Sequence, residues 1–331
     1  MISSKRHTCY VSDFFEVEHV RRMKNRGADK RKSGDLEGAI QHFEWALAIN
    51  PKCTTCLKDL GEVYLAKKDY SRAENYMRTA LDLLDGKDSD ALFTLGIILS
   101  EQGKDAESID AYRQSISINA DDAELCYNLG VKLGAKGDAI AERELYEKAV
   151  SIQPSMGRAW INWGISLAEV GNLDLAEEKF LKCIEYAPKF VPDAMLNLSL
   201  VYQSKHNQVM GQGLVQEGRE NALKASDWLE NAKQWMDSSA AQILSKEELE
   251  KQRNSYNPLR LQAYKNSGRA MAAMRDFEAC EKEFRKAVEE FPNDPSAWDL
   301  LQRILQLVGK TEEAAEAKSK MTMLSSISGF M

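Results

Sequence analysis

The chain has 331 residues, of which 44% are hydrophobic and 29% charged, and its formal net charge is −7. This composition is typical of a folded globular protein and excludes a disordered or fibrous one. No apolar stretch approaches the roughly 18 residues that a membrane-spanning helix needs, and the acidic balance disfavours broad nucleic-acid binding. Because six cysteines in a chain of this length do not make a disulfide scaffold, a reducing, cytoplasmic location is expected.

The N-terminal segment, residues 1–19, precedes the first regular pattern. It contains Lys5, Arg6, Asp13 and Glu16 but no apolar h-region, so a secretory signal is not expected. Asp13 and Glu16 have the spacing of a capping box, which predicts that the first helix begins there.

A pattern of small residues recurs along the rest of the chain. In most sets a glycine is followed after twelve residues by another small residue, then by a large residue, then by Ala, Ser or Cys; the first set is Gly27, Ala39, Phe43 and Ala46. The lead glycines lie at 27, 61, 96, 130, 164 and 268, so the first four steps are 34, 35, 34 and 34 residues. Small residues at this spacing let two antiparallel helices approach closely, while large residues fill the space around them.

This period and these residues resemble the tetratricopeptide repeat (TPR), a 34-residue helix-turn-helix unit. The resemblance covers roughly residues 20 to 322 and implies an all-α fold, a right-handed superhelical solenoid of about eight such units with an expanded sixth repeat. The predicted segments are an N-terminal extension (1–19), repeats one to five (20–190), a degenerate sixth repeat with an insertion (191–260), repeats seven and eight with a capping helix (261–322) and a tail (323–331).

The sixth repeat departs from the period. Ser199 and Gly268 occupy equivalent places but are 69 residues apart, which indicates one enlarged repeat rather than two regular ones. Residues 205–218 are rich in Gln and Gly and predict a long loop, for which a tolerated surface insertion is the simpler interpretation. Ser245 and Glu248 predict a capping box that opens a short charged helix, Lys246 to Arg253.

The first helices of stacked TPR units line a concave groove, and asparagine recurs at one place in it. The five members are Asn25, Asn128, Asn162, Asn197 and Asn266. An Asn amide both donates and accepts hydrogen bonds, so such a ladder could hold the main chain of an extended peptide. It resembles the asparagine ladder in the TPR region of O-linked N-acetylglucosamine transferase. The alternative is that Asn is simply common at this place in TPR sequences.

The remaining groove residues are basic in the first repeat, apolar in the middle and basic again in the seventh. In chain order they include Arg21, Lys24, Arg31, Lys32, Phe93, Tyr127, Ile161, Ile165, Leu196, Leu200, Lys265 and Arg269. This gradient favours a protein ligand with apolar anchors and acidic flanks. For Ile161 and Leu200, packing against neighbouring helices is an equally good interpretation. The two-carboxylate clamp with which some TPR co-chaperones bind chaperone tails is disfavoured, because Ala28 and Asp59 stand where it needs asparagine.

The sequence contains no motif for catalysis, metal binding or a cofactor. Cys53 and Cys56 form a lone C-x-x-C without the second pair of ligands that a structural zinc site needs. His7 and Cys9 could contribute only if the N-terminus folded back. Two cysteines at a helix start are therefore the favoured interpretation, and no metal, cofactor or enzymatic activity is expected.

These observations favour a non-enzymatic adaptor that binds a peptide segment of a partner protein, without nucleic-acid binding or membrane insertion. One alternative is a structural scaffold subunit of a trafficking, ciliary or organelle complex. Another is the TPR arm of a relative of O-linked N-acetylglucosamine transferase that lacks the catalytic domain. The sequence leaves the oligomeric state open.

Overall fold

The computed structural model describes the backbone of residues 3–328 and the side chains of residues 17–326. Within that part of the chain the structure consists of sixteen α-helices and two short 3-10 helices, with no β-strand. The α-helices are α1 Ser3–Lys32, α2 Leu36–Ile49, α3 Thr54–Ala66, α4 Tyr70–Leu83, α5 Ser89–Glu101, α6 Asp105–Ile118, α7 Ala123–Ala135, α8 Ala139–Ile152, α9 Gly157–Glu169, α10 Leu173–Tyr186, α11 Val191–Gly211, α12 Val215–Asp237, α13 Lys246–Ala273, α14 Phe277–Glu290, α15 Pro295–Leu307 and α16 Thr311–Ser328. The 3-10 helices are Pro188–Phe190 and Ser239–Ile243.

The chain forms two compact units, which we call unit 1 (up to Ile152) and unit 2 (from Gln153). Unit 1 contains the four helix pairs α1/α2, α3/α4, α5/α6 and α7/α8, and unit 2 contains the four pairs from α9/α10 to α15/α16. The all-α class, the eight helix-turn-helix pairs and the expanded sixth pair are confirmed. The boundaries that the sequence assigns to individual repeats stay predictions.

The two helices of a pair approach most closely at the lead glycine. A Cβ atom placed on Gly96 would lie 2.4 Å from the ring of Tyr112, and one on Gly268 would lie 2.2 Å from the ring of Phe284. No real side chain tolerates such distances, so only glycine lets the aromatic ring of the second helix seat against the first. Tyr112 is almost fully buried as a result, and burial of a side chain of this size stabilises the fold by about 2 kcal/mol.

Aspartate starts many of these helices. Asp88 precedes α5 and accepts a hydrogen bond from the backbone N–H of Ala91 at 2.8 Å, and Asp122 precedes α7 and accepts one from Leu125 at 3.1 Å. Such caps satisfy an amide that has no partner inside the helix, and each contributes about 1 kcal/mol.

The turn inside each pair uses one residue in the left-handed backbone region. Glycine fills this place in most pairs, as at Gly103 (φ 74°) and Gly171 (φ 81°), while Lys68 and Arg275 adopt φ 60°. The left-handed conformation ends the first helix and reverses the chain within two or three residues. Glycine accepts it without the steric cost that a Cβ atom brings.

The predicted loop at residues 205–218 is wrong. Helix α11 continues to Gly211 and α12 begins at Val215, so only a short turn around Gly213 (φ 78°) separates them. The physical reason is that the buried face of α11 extends beyond the usual repeat. His206 is buried, and its Nδ1 lies 2.8 Å from the carbonyl oxygen of Gly218 on α12. The pair is therefore an elongated hairpin, with helices of 21 and 23 residues.

The capping box at Ser245 and Glu248 is confirmed, but the short helix that it was expected to open is wrong. Helix α13 runs for 28 residues from Lys246 to Ala273 and includes Pro258 in its interior. Its N-terminal half packs with α12 through Tyr256 and Leu229, and its C-terminal half packs with α14. Apolar burial on both halves overrides the tendency of proline to end a helix.

At the N-terminus, helix α1 begins at Ser3, so Asp13 lies inside a helix and not at its start. The side chains of Asp13 and Glu16 lie outside those that the structure describes. At the other end α16 continues to Ser328, into the segment that the sequence suggested as a tail.

Candidate functional site

In unit 1 the predicted apolar anchors lie at the rim of the core. Phe93 on α5 and Tyr127 on α7 are both half-buried. The ring centroid of Phe93 is 5.9 Å from that of Tyr112, and the Tyr127 centroid is 5.9 Å from that of Tyr146. One side of each ring therefore packs on the second helix of its own pair, and the rest of the ring is accessible. Each side chain therefore has one part buried by packing and another part that a ligand could contact.

The asparagines of unit 1 are not consecutive. Asn25 is exposed on α1 and Asn128 is half-buried on α7. In the two repeats between them the equivalent residues are Asp59 and Thr94, and the Thr94 hydroxyl donates to the carbonyl oxygen of Asp90 in its own helix. Unit 1 thus holds two predicted ladder members separated by two other side chains.

Two of the four basic residues predicted for the first repeat, Arg21 and Arg31, are paired within the chain. Arg31 is hydrogen-bonded to Glu62 and lies 3.5 Å from Asp59, and Arg21 lies 2.8 Å from Glu18. Burial raises the pKa of Asp59, with the Arg31 guanidinium acting against it. These partners lower the net positive charge that the first repeat can offer to an acidic ligand.

In unit 2 two large apolar side chains lie open on adjacent first helices. Ile165 on α9 is 36% exposed and Leu200 on α11 is 42% exposed. Each follows the small residue of its repeat, Gly164 or Ser199, so the two occupy equivalent places. Ile161, one turn before Ile165, is half-buried. For Leu200, the interpretation that it is hidden by packing is therefore not supported.

The three predicted ladder members of unit 2 have different surroundings. Asn162 and Asn197 are half-buried, and Nδ2 of Asn197 donates to the carbonyl oxygen of Asp193 at 2.8 Å in its own helix. Asn266 is fully buried; its Oδ1 accepts from Nε2 of Gln262 at 2.9 Å, while its Nδ2 has no partner. Asn266 therefore does not line an accessible surface.

The predicted basic residues of the seventh repeat lie one turn apart on α13. Arg269 is exposed and Lys265 is half-buried. They give unit 2 a basic strip that a ligand with acidic residues could meet.

A feature that the sequence analysis missed covers part of the first helix of the sixth repeat. The N-terminal half of α13 lies beside α11: Nε2 of Gln252 donates to the carboxylate of Asp193, and Nε2 of Gln203 donates to the carbonyl oxygen of Leu259 at 3.4 Å. Burial raises the pKa of Asp193. The sequence does contain a pattern from which this contact could have been predicted. Residues at helical spacing form one face of α13, namely Leu249, Gln252, Tyr256, Leu259 and Ala263.

The extra turns of α11 and α12 also form a polar cleft of about 550 Å³ in unit 2. Lys205 lies within it, 2.5 Å from Asp174 and 2.7 Å from Glu177, and the hydroxyl of Tyr202 donates to Glu177 at 2.6 Å. Because the ammonium already has two carboxylate partners, this cluster joins α10 to α11 and does not resemble an open anion site.

The described cysteines were compared with the arrangement that a metal site requires. Among the residues that the structure describes, no group of three or more His, Cys, Asp or Glu side chains is arranged to hold a metal ion. Cys53 is half-buried and Cys56 is buried at the start of α3. The side chains of His7 and Cys9 lie outside the described residues. In the same described part of the chain, no helix is long and apolar enough to cross a membrane.

Comparison with family models gives three matches, all to tetratricopeptide repeats. They cover residues 30–83, 58–124 and 123–156. A comparison with curated proteins gives no significant match.

Solved structures resemble the fold over a larger part of the chain. The C-terminal part of a TPR repeat-containing protein from Cytophaga hutchinsonii is 14% identical, covers 83% of this chain and 98% of its own, and has a TM-score of 0.63. PilF from Pseudomonas aeruginosa is 15% identical, with 68% and 95% coverage and a TM-score of 0.54. MamA is 29% identical over 48% of this chain and 93% of its own, with a TM-score of 0.46. The first two support the helical-repeat fold.

Proposed function

The chain is a tetratricopeptide-repeat protein, and on that basis we propose that it is a non-enzymatic adaptor that binds an extended segment of a partner protein. The observation that carries this proposal is the pair Ile165 and Leu200. Both are large apolar side chains at equivalent places on adjacent first helices, and both are open to solvent in unit 2. An exposed apolar pair at repeating places is suited to alternate side chains of one peptide.

Polar groups beside this pair would hold the peptide main chain. Asn162 and Asn197 stand next to Ile161 and Leu196 on the same helices. Asn197 uses one N–H on Asp193, which leaves its carbonyl oxygen to accept from a ligand amide. Lys265 and Arg269 would meet acidic residues of the ligand.

In unit 1, Phe93 and Tyr127 would offer apolar contacts, and Asn25 and Asn128 would offer amide groups, to a bound peptide. Asn266 is not part of the proposed surface because it is fully buried.

The energies indicate the kind of ligand. Covering the exposed parts of Ile165 and Leu200 would contribute about 1 kcal/mol each. Two such anchors are too weak alone, since micromolar affinity needs about 8 kcal/mol. A ligand must therefore add main-chain hydrogen bonds and further apolar contacts along the first helices.

A matched pair of leucines tests the surface directly. Leu200 lies on the first helix α11 and Leu181 on the second helix α10, and both are 42% exposed. Peptides would be selected against the full chain by display, and their affinities measured with wild type, Leu200→Ser and Leu181→Ser. We expect Leu200→Ser to weaken binding about fivefold, because it removes an anchor worth about 1 kcal/mol, and Leu181→Ser to leave affinity unchanged. Circular dichroism would check that both variants fold.

Two outcomes would count against this surface. Selected peptides could bind both variants as tightly as wild type, or Leu181→Ser could be the variant that loses them. A second pair of variants, Asn197→Ala and Asn207→Ala, separates the amide on the proposed surface from an exposed amide further along α11. Only the first is expected to reduce affinity.

The scaffold alternative has its own observation. Several second helices carry exposed apolar side chains, namely Trp45 on α2, Ile118 on α6 and Leu175 on α10. A subunit that makes broad contacts through its second helices would use them. In that case a native partner would be lost with Leu175→Ser, and no short peptide would compete with that partner.

A further inference from the structure

Two cysteines replace the usual residues at the start of α3. Cys53 is the N-cap residue and makes no side-chain capping hydrogen bond. At the same place in α5 and α7 the cap is Asp88 or Asp122. Cys56 stands three residues later, where α5 has Ala91 and α7 has Leu125. The pair therefore stands where neighbouring repeats have a capping aspartate and a buried apolar residue.

The equivalent helices α5 and α7 show where the side chain of an N-cap residue points. Oδ1 of Asp88 lies 2.8 Å from the backbone nitrogen of Ala91, and Oδ1 of Asp122 lies 3.1 Å from that of Leu125. A cap side chain thus reaches the residue three places on. Cys53 is the N-cap residue of α3 and Cys56 is its third residue, so the two side chains stand on the same first turn. A C-x-x-C pair at a helix N-terminus is the spacing found in thiol–disulfide exchange motifs.

The surroundings give the two thiols different chemical roles. Cys53 is half-buried, and its Sγ is 3.4 Å from the hydroxyl oxygen of Thr55 near the surface. Cys56 is fully buried, and burial raises the pKa of its thiol to about 12. A reagent can therefore reach Cys53 at the N-terminus of α3, while Cys56 is shielded from solvent.

We propose that Cys53 and Cys56 are a redox-active dithiol that closes reversibly to a disulfide by exchange with a small disulfide of the glutathione class. The Cys53 thiolate attacks one sulfur of the small disulfide, forms a mixed disulfide and releases one small thiolate. Cys56 then gives up its proton and attacks Sγ of Cys53, which releases the second small thiolate. Two protein thiols are oxidised and one small disulfide is reduced to two thiols, which take up the two protons that the protein thiols lost.

The closed form would tie the first turn of α3. This helix also carries Lys58, which lies 2.7 Å from Asp88 at the start of α5, and Asp59, which faces Arg31 on α1. The other described cysteines do not offer this chemistry, because Cys126, Cys183 and Cys280 are buried singly in separate helices.

The test is a thiol-exchange titration of the reduced full chain. Wild type, Cys56→Ser, Cys53→Ser and the double variant Cys53→Asp/Cys56→Ala are equilibrated with mixtures of reduced and oxidised glutathione, quenched with acid, alkylated and mapped by mass spectrometry. The double variant reproduces the cap and the buried alanine of α5, so it is the folded control.

In wild type we expect Cys53 joined to Cys56 with little glutathione adduct. In Cys56→Ser the adduct on Cys53 should accumulate at least about tenfold more, because no resolving thiol remains. In folded Cys53→Ser, Cys56 should stay unmodified. The proposal is overturned if wild type keeps as much adduct on Cys53 as Cys56→Ser does. It is equally overturned if Cys53 in the folded wild type stays reduced under conditions that oxidise the same chain in denaturant.

Discussion

Arg260 on α13 and Glu290 at the end of α14 form a largely buried ion pair, with Nε of Arg260 3.2 Å from Oε2 of Glu290. The hydroxyls of Tyr256 and Tyr264 donate to the same carboxylate at 3.0 and 2.7 Å. Arg260 also donates to the hydroxyl oxygen of Ser226 on α12 at 2.7 Å. One carboxylate and one guanidinium thus join the elongated hairpin to the seventh repeat.

We expect Glu290→Gln to lower the free energy of unfolding by about 3 kcal/mol, because it removes the buried carboxylate and leaves the exposed Glu230 as the charged partner of the largely buried Arg260. The measurement is urea unfolding followed by circular dichroism. Glu230→Gln is the matched control, since Glu230 is 3.5 Å from the same guanidinium but 46% exposed. It should cost less than about 1 kcal/mol. Equal losses in the two variants would show that the buried network is not the main link.

Pro258 gives a second prediction about α13. It lies in the interior of a 28-residue helix and is exposed. Because proline has no backbone N–H, it removes one helical hydrogen bond, and its exposed ring contributes little packing in return. We expect Pro258→Ala to raise the free energy of unfolding by about 1–3 kcal/mol. Pro295→Ala is the control. Pro295 is the first residue of α15, where proline suits the helix, so this change should bring no gain. A loss of stability in Pro258→Ala would mean that a bend at Pro258 is needed to seat both halves of α13.

The regular repeats were predictable because their signal is local. A glycine such as Gly96 and an aromatic such as Tyr112 define one close approach, and this approach recurs at nearly constant spacing. The elongated hairpin was not predicted because its period changes. Gly213 is the left-handed turn residue of its pair, equivalent to Gly171 in α9/α10, but it stands in a Gln-rich segment that suggested a loop. To predict the hairpin, one would have had to recognise that the buried face of α11 continues past the normal repeat length to His206.

The candidate site was less predictable than the fold, because exposure depends on neighbours that are distant in sequence. Asn197 and Asn266 occupy equivalent places, yet the first is half-buried and the second fully buried. Leu196 was equally suited to the groove on sequence grounds, but it packs with Tyr256 on α13. A helix that begins at Lys246 and extends back along α11 cannot be placed by repeat spacing alone.

Glycine positions offer a contrast that tests the packing argument. A Cβ on Gly268 would lie 2.2 Å from Phe284, whereas one on Gly211 would have no atom within 4 Å. We expect Gly268→Ala to destabilise the protein by about 1–3 kcal/mol through overpacking. Gly211→Ala should stabilise it by up to about 1 kcal/mol, because Gly211 is helical and alanine favours the helix. Urea unfolding measures both. Adding Phe284→Leu to Gly268→Ala should recover part of the loss, and a lack of recovery would contradict the assigned clash.

Glu74 on α4 predicts how the stability of unit 1 depends on pH. Burial alone would raise the pKa of its carboxyl, but hydrogen bonds from Lys104, Gln102 and Arg78 outweigh burial and lower the pKa from 4.5 to about 2. A carboxyl with a lowered pKa in the folded state stabilises the fold above its unfolded value, and this contribution is lost as the pH falls towards the folded value. We expect wild type to exceed Glu74→Gln in stability by about 1–2 kcal/mol at neutral pH, after allowance for solvent screening.

The difference between wild type and Glu74→Gln should shrink as the pH falls from about 4.5 to about 2, because wild-type Glu74 then becomes neutral like the glutamine. Urea unfolding at a series of pH values measures it. Glu107→Gln is the control. Glu107 meets only one arm of Arg78, and its side chain is 55% exposed, so its loss should cost less than about 0.5 kcal/mol. The electrostatic contribution of Glu74 disappears when its carboxylate is protonated. If the wild type instead stays more stable than Glu74→Gln by the same amount down to the lowest pH, the glutamine must disturb packing.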